Sequence, residues 1–192
     1  MFKNIKLTSL LIASVVFLAS CKKDDPVPVN EEEVFTRVDL KVTNQADNAT
    51  ETISFEVDHD HDHAISTTED DDHNHGEHKV VELKSDSTYK FEITFWNEEE
   101  NVTAEIIEEA DEHQVFYELA AGSGITVTAA ADDTKDSGNN PVHLKTVWET
   151  TTAGEVEVEA YLIHEPTLKT GNTRDDFGGA TDIEIEFEAH VE

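Results

Sequence analysis

An all-β fold, an antiparallel Ig-like β-sandwich of eight or nine strands with one short helix, is what this sequence predicts, and three observations carry it. Apolar residues recur at every second position in run after run from Val34 onward, the period of a half-buried strand. The runs are separated by short clusters of Gly, Ser, Asn and Asp, which are turn chemistry. Neither an internal repeat nor the strand-helix-strand rhythm of a parallel βαβ unit is visible.

The first strand reads from Val34, with Val34, Thr36, Val38, Leu40 and Val42 alternating with polar or charged neighbours, so that one face is buried and the other wet. Residues 44–48 form the turn. A second strand places Ile53, Phe55 and Val57 inward and runs into a polar insert, residues 58–78. Val81 and Leu83 begin a return strand closed by Ser85-Asp86-Ser87. Tyr89, Phe91, Ile93 and Phe95 form the next strand, the most aromatic part of the core. Near Asn101 the period changes. Val102, Ile106 and Ala110 are four apart, with Ile107 and His113 near the same side and acidic residues filling the remainder, which predicts a short helix over 103–112. Glu105 suits the positive end of its dipole and the later carboxylates do not. Strand periodicity then resumes over 115–119, 125–129, 142–148, 156–162 and 183–191, interrupted by Gly122-Ser123-Gly124, the 132–141 loop, Gly154 and the 171–179 loop.

The chain has 192 residues, 37% of them hydrophobic, which suits one domain with a modest core, 34–192, preceded by processing segments. With 44 acidic against 13 basic residues and a formal net charge of −31, it repels nucleic acid and anionic lipid surfaces and attracts cations and basic partners. Residues 1–20 read as a signal peptide: Lys3 and Lys6 are a positive n-region, and residues 7–18 are an apolar core too short to span a bilayer. Leu18-Ala19-Ser20-Cys21 resembles a bacterial lipobox, which implies acylation of Cys21. An ordinary secretory signal is the competing reading. Cys21 is the only cysteine, so no intrachain disulfide is available. Lys22-Lys23-Asp24-Asp25 resembles the export signal of Bacteroidetes lipoproteins bound for the outer face of the outer membrane, with the periplasmic face as the alternative. Pro26, Pro28 and Glu31-Glu32-Glu33 complete an extended, self-repelling tether over 21–33.

Three stretches carry a wider resemblance: residues 108–114 (Glu108-Glu109-Ala110-Asp111-Glu112-His113-Gln114) with Phe116-Tyr117, His164-Glu165-Pro166, and residues 178–185, Gly178-Gly179-Ala180-Thr181-Asp182-Ile183-Glu184-Ile185. They resemble a group of small flavobacterial lipoproteins labelled type 1 periplasmic binding fold proteins. The resemblance implies a surface or periplasmic lipoprotein working beside an outer-membrane TonB-dependent receptor. The label implies an α/β fold, whereas the period of two predicts the sandwich.

The insert lies outside those stretches and has the most explicit chemistry. Its twenty-one positions hold six of the ten histidines, eight carboxylates and no Lys or Arg. Neutral imidazole and carboxylate are the ligands that zinc, copper(II) and nickel accept. His59, His61 and His63 alternate with Asp58, Asp60 and Asp62; in an extended chain the imidazoles share one face at about 6.5 to 7 Å spacing. His73, His75 and His78 form a second cluster with Glu77, and Gly76 permits a bend. With only Ala64 and Ile65 to bury, the segment is expected to be disordered without metal and to bind in the micromolar range. The competing reading is a solvated acidic spacer with incidental histidines.

A second metal site is suggested by Glu109 and His113, four apart on the predicted helix, with His164 and Glu165 approaching in space; a helix-end histidine with an acidic neighbour is the plainer account. His143 and His190 fall near strand ends without a visible partner. The 132–139 loop offers oxygens and Gly138 but lacks the order of an EF-hand and reads as a hairpin turn. No nucleophile with its base, no H-E-x-x-H and no phosphate loop is present, so no enzyme is expected. The expectation is a lipid-anchored outer-membrane protein whose His/Asp loop captures a divalent metal, zinc foremost, for buffering or delivery to a receptor. The alternative is a non-enzymatic interaction module accessory to such a receptor.

Overall fold

The computed structural model describes residues 34–57 and 79–192. Ten strands are present among the described residues: β1 Arg37–Asn44, β2 Thr50–Glu56, β3 Lys79–Leu83, β4 Thr88–Asn97, β5 Glu100–Asn101, β6 His113–Leu119, β7 Ile125–Ala129, β8 Lys145–Thr150, β9 Gly154–His164 and β10 Ala180–Val191. Two short helices join them, α1 Thr103–Glu108 and α2 Arg174–Phe177. The strands form two sheets, one ordered β2-β1-β4-β8-β7 with β5 on β4, the other β3-β10-β9-β6. This is the all-β sandwich that the period of two predicts, with one strand and one helix more than the sequence announces. The additions are the two-residue β5 and the four-residue α2.

Alternation builds the core directly. Along β4 the side chains of Tyr89, Phe91, Ile93 and Phe95 are buried while their neighbours are partly exposed. Phe91 stacks on Trp148 of β8 with centroids 4.1 Å apart, and Tyr117 of β6 meets Trp148 edge-on at 5.4 Å. Phe187 of β10 closes the cluster at 6.3 Å from Trp148. Rings from both sheets thus fill the inter-sheet layer, each such side chain contributing about 1.5–3 kcal/mol on burial. The Trp148 Nε1–H donates to Thr146 Oγ1 at 2.9 Å, which satisfies the buried indole.

Every strand pair is antiparallel except β3 with β10, which run parallel, Lys79 beside Phe187 through Leu83 beside Val191. The chain therefore leaves the first sheet at its β2 edge and enters the second at its β3 edge. A parallel pair needs a long crossover, and the chain between β3 and β10, residues 84–179, provides it; residues 58–78, which join β2 to β3, lie outside the described residues, as do residues 1–33.

Three local expectations are corrected. Val34 is half exposed whereas Phe35 is buried, because pleating begins only at Arg37 and the parity before it is free. The helix over 103–112 stops at Glu108. Its last turn holds no basic residue, and Glu108, Glu109, Asp111 and Glu112 would crowd the negative end of the dipole. Ile107 accordingly points outward, 46% exposed, while Val102, Ile106 and Ala110 are buried as the spacing requires. The eighth strand begins at Lys145, not Val142, so His143 precedes it, with a φ of 68°.

Candidate metal centre

The inward series of β6 is His113, Val115 and Tyr117, and that of β9 is Val156, Val158, Ala160, Leu162 and His164. Period two thus carries both histidines onto the core side at the ends of their strands. The register sets them directly opposite each other. Their rings stack with centroids 5.0 Å apart and planes 20° from parallel. His113 is fully buried and His164 nearly so.

A third side chain joins them from β10. Thr181 pairs with Ile163 and Ile183 with Leu162, so Asp182 is the extra residue of a β-bulge, the device that re-aims one side chain out of the alternation. Its Oδ1 lies 3.8 Å from His164 Nδ1 and its Oδ2 4.0 Å from His113 Nε2. Asp182 Oδ2 is buried without a hydrogen-bond partner among the described residues. His113 Nδ1 stands 3.2 Å from the Glu109 carbonyl. A carbonyl only accepts, so this nitrogen carries the hydrogen, and the lone pair of the neutral ring is at Nε2, facing the carboxylate. Two electron-rich atoms aimed at one point call for a proton or a cation between them. Burial pushes the His113 pKa down and that of Asp182 up, so each group is held towards its uncharged form.

The donor set suits a divalent transition metal. Tetrahedral zinc at about 2.0–2.2 Å from N and O ligands sets them about 3.4 Å apart. The one nitrogen or oxygen that each of His113, His164 and Asp182 offers lies within 4.8 Å of the others, so a contraction of at most about 1.4 Å would close the set around an ion. On its other side, His164 Nε2 lies 3.9 Å from Glu112 Oε2, and Glu165 completes a second group with them.

The segment from Glu165 to Gly179 fastens this end of the sandwich. Lys169 Nζ donates to the carbonyls of His113 at 2.5 Å and Ala110 at 3.1 Å. Arg174 Nη1 donates to the Gly178 carbonyl at 2.9 Å and its Nε to Thr181 Oγ1 at 2.8 Å, beside the bulge. Phe177 is buried against Phe116 on the outer face of the sheet. Thr173 and Asp176 form a capping box for α2, an N-terminal signal that the 171–179 stretch carries in its sequence.

Of the second site read from sequence, the structure joins His113 and His164, brings Glu165 to the outer side of His164, and gives Glu109 a different part. Glu109 acts through its main-chain oxygen, because the helix ends before it and the four-residue spacing no longer aligns side chains. Asp182 and Glu112 are the residues that sequence reasoning missed. The insert ligands Asp58, His59, Asp60, His61, Asp62, His63, His73, His75, Glu77 and His78, and the lipidation residue Cys21, lie outside the described residues.

The other two described histidines have partners. His190 Nδ1 lies 3.2 Å from Glu82 Oε2, and His143 Nδ1 accepts from Gln114 Nε2 at 2.7 Å. The 132–139 loop is a turn whose carboxylates serve the chain itself: Asp136 accepts from both nitrogens of Asn140, Asp133 from the amides of His143 and Lys145, and Asp132 from Lys90 and Lys145. No family model matches the chain, and no curated protein or solved structure matches it significantly.

Proposed function

We propose that the protein binds a divalent transition metal, zinc foremost, at His113, His164 and Asp182, as a lipid-anchored outer-membrane lipoprotein that captures or buffers the ion or delivers it to a receptor. The observation that carries metal binding is Asp182 Oδ2, buried and without a hydrogen-bond partner among the described residues, facing His113 Nε2. A cation there turns an unfavourable burial of a carboxylate into a paired one. The lipobox-like Cys21 and the Lys22-Lys23-Asp24-Asp25 run support the anchored, surface-displayed part, and the His/Asp-rich insert supports collection of ions ahead of the buried set.

The test is calorimetric titration of zinc, copper(II) and nickel into residues 22–192 beside the Asp182→Asn variant, which keeps the side-chain volume and removes the charge. Beside the weaker, multi-ion uptake of the insert, the parent binds one saturable equivalent that the variant binds about tenfold more weakly or worse, as even losses of outer-shell partners weaken metal sites by that factor. Equal heats from the two proteins would refute this assignment.

A second reading, an interaction module accessory to a receptor, is favoured by the outer face of the β10-β9-β6 sheet. Glu118 stands opposite Glu159, Glu159 opposite Glu186, and Glu157 opposite Glu188. Like charges so placed destabilise the pairing and suit a basic partner surface. Under this reading the insert is a solvated spacer and the Asp182→Asn variant keeps its partner.

A further inference from the structure

His164 belongs to both ligand groups at this end of the sandwich. Its Nδ1 faces inward, 3.8 Å from Asp182 Oδ1, and its Nε2 faces outward, 3.9 Å from Glu112 Oε2. The inner group is closed, with the side chain of His113 0% and that of Asp182 18% exposed. The outer group is open, with the Glu112 side chain 58% exposed and Glu165 on the surface. An ion arriving from solvent meets the outer group first. The neighbouring carboxylates Glu108, Glu109 and Asp111, all exposed, raise the local concentration of cations there.

A neutral imidazole has one lone pair. His164 can therefore ligate outward through Nε2 or inward through Nδ1, but not both at once. With the ion outside, Nδ1 carries the hydrogen and points it at Asp182. With the ion inside, Nε2 carries it and points it at Glu112. Passage inward releases one proton from Nδ1 and takes one up at Nε2, so the ring remains neutral and the proton count is unchanged.

Resting on the metal-binding assignment above, we propose that His164 is a two-faced ligand that passes a single divalent cation from an entry position formed with Glu112 and Glu165 to the closed position formed with His113 and Asp182. The two positions are alternatives, and one ion occupies the pair at a time. Glu112 and Glu165 act on the path of the ion and not in its final coordination.

The experiment is stopped-flow binding of cobalt(II), whose visible absorption reports four-coordinate sites, to the full chain and to the Glu112→Gln/Glu165→Gln double variant. The phase missing from Asp182→Asn identifies the inner position. In the double variant the association and dissociation rates of that phase both fall, about tenfold, while their ratio, the equilibrium affinity, is unchanged. The effect persists in 1 M salt, where a Debye length of about 3 Å removes simple steering. Faster dissociation with weaker affinity would make the glutamates ordinary ligands, and unchanged rates would take them off the path. Two equivalents held together by these residues would refute the alternation. Absence of an Asp182-dependent phase in the parent would refute the metal-binding assignment itself.

Discussion

Gly179 packs against the carbonyl oxygen of His164: a Cβ at position 179 would fall well inside van der Waals contact with that oxygen and against the Glu165 carbonyl as well, and the residue has a φ of 68°. Both facts demand glycine. Gly179 stands three residues before the bulged Asp182, so it fixes how β10 enters its pairing with β9. Gly179→Ala should lower stability by about 1–3 kcal/mol from the backbone conformation alone, with the clash added. The urea midpoint would show this, and metal affinity should fall with it because Asp182 moves. An unchanged midpoint would mean that the turn is not formed as described.

His143 gives a pH prediction with a definite sign. Burial pushes its pKa below the ordinary imidazole value, with Asp133 pulling weakly the other way. The unfolded chain binds a proton near pH 6.5, whereas the folded chain resists it to a lower pH. This share of stability is therefore whole above the unfolded value and lost as pH falls through the folded one, with a limiting slope of about 1.4 kcal/mol per pH unit for one proton. His143→Asn suits the φ of 68° and keeps an acceptor for Gln114. Urea midpoints from pH 7.5 to 5 should depend less on pH in this variant than in the parent. Asp182 and Glu184, raised by burial, contribute with the opposite sign in both proteins and cancel in the comparison. Coincident slopes would show that the ring takes up its proton as readily in the folded chain as in the unfolded one.

The sandwich is legible in the sequence because a pleated strand writes its burial at every second residue, and Tyr89, Phe91, Ile93 and Phe95 do so without interruption. His113 and His164 are legible as site candidates for their residue type, and their positions extend the inward series of β6 and β9. Asp182 is not legible. It sits one place before Ile183 in a run where polar residues alternate outward, and only the bulge, a two-against-one pairing with β9, turns it towards the histidines. The Gly178-Gly179 pair just upstream is the one sequence signal of an irregular entry. Glu109 misleads for the opposite reason: its spacing from His113 has meaning only on a helix, and the helix ends at Glu108.

The insert and the buried set make separable predictions. Residues 58–78 connect the β2 edge of one sheet to the β3 edge of the other, so replacing their six histidines by asparagine preserves the connection and the chain length. On the proposed reading, imidazoles crowded among eight carboxylates would take up ions weakly, since ligand ordering opposes binding. The buried set has that ordering already built into β6, β9 and β10. Titrating zinc into the substituted protein should therefore remove the micromolar, multi-ion component and leave one tighter equivalent that still depends on Asp182. Removing Asp182 alone should do the reverse. Loss of all binding on substituting the insert would assign the metal wholly to it and make His113, His164 and Asp182 a structural cluster. Unchanged binding would make the insert a solvated spacer, with its histidines incidental to its charge.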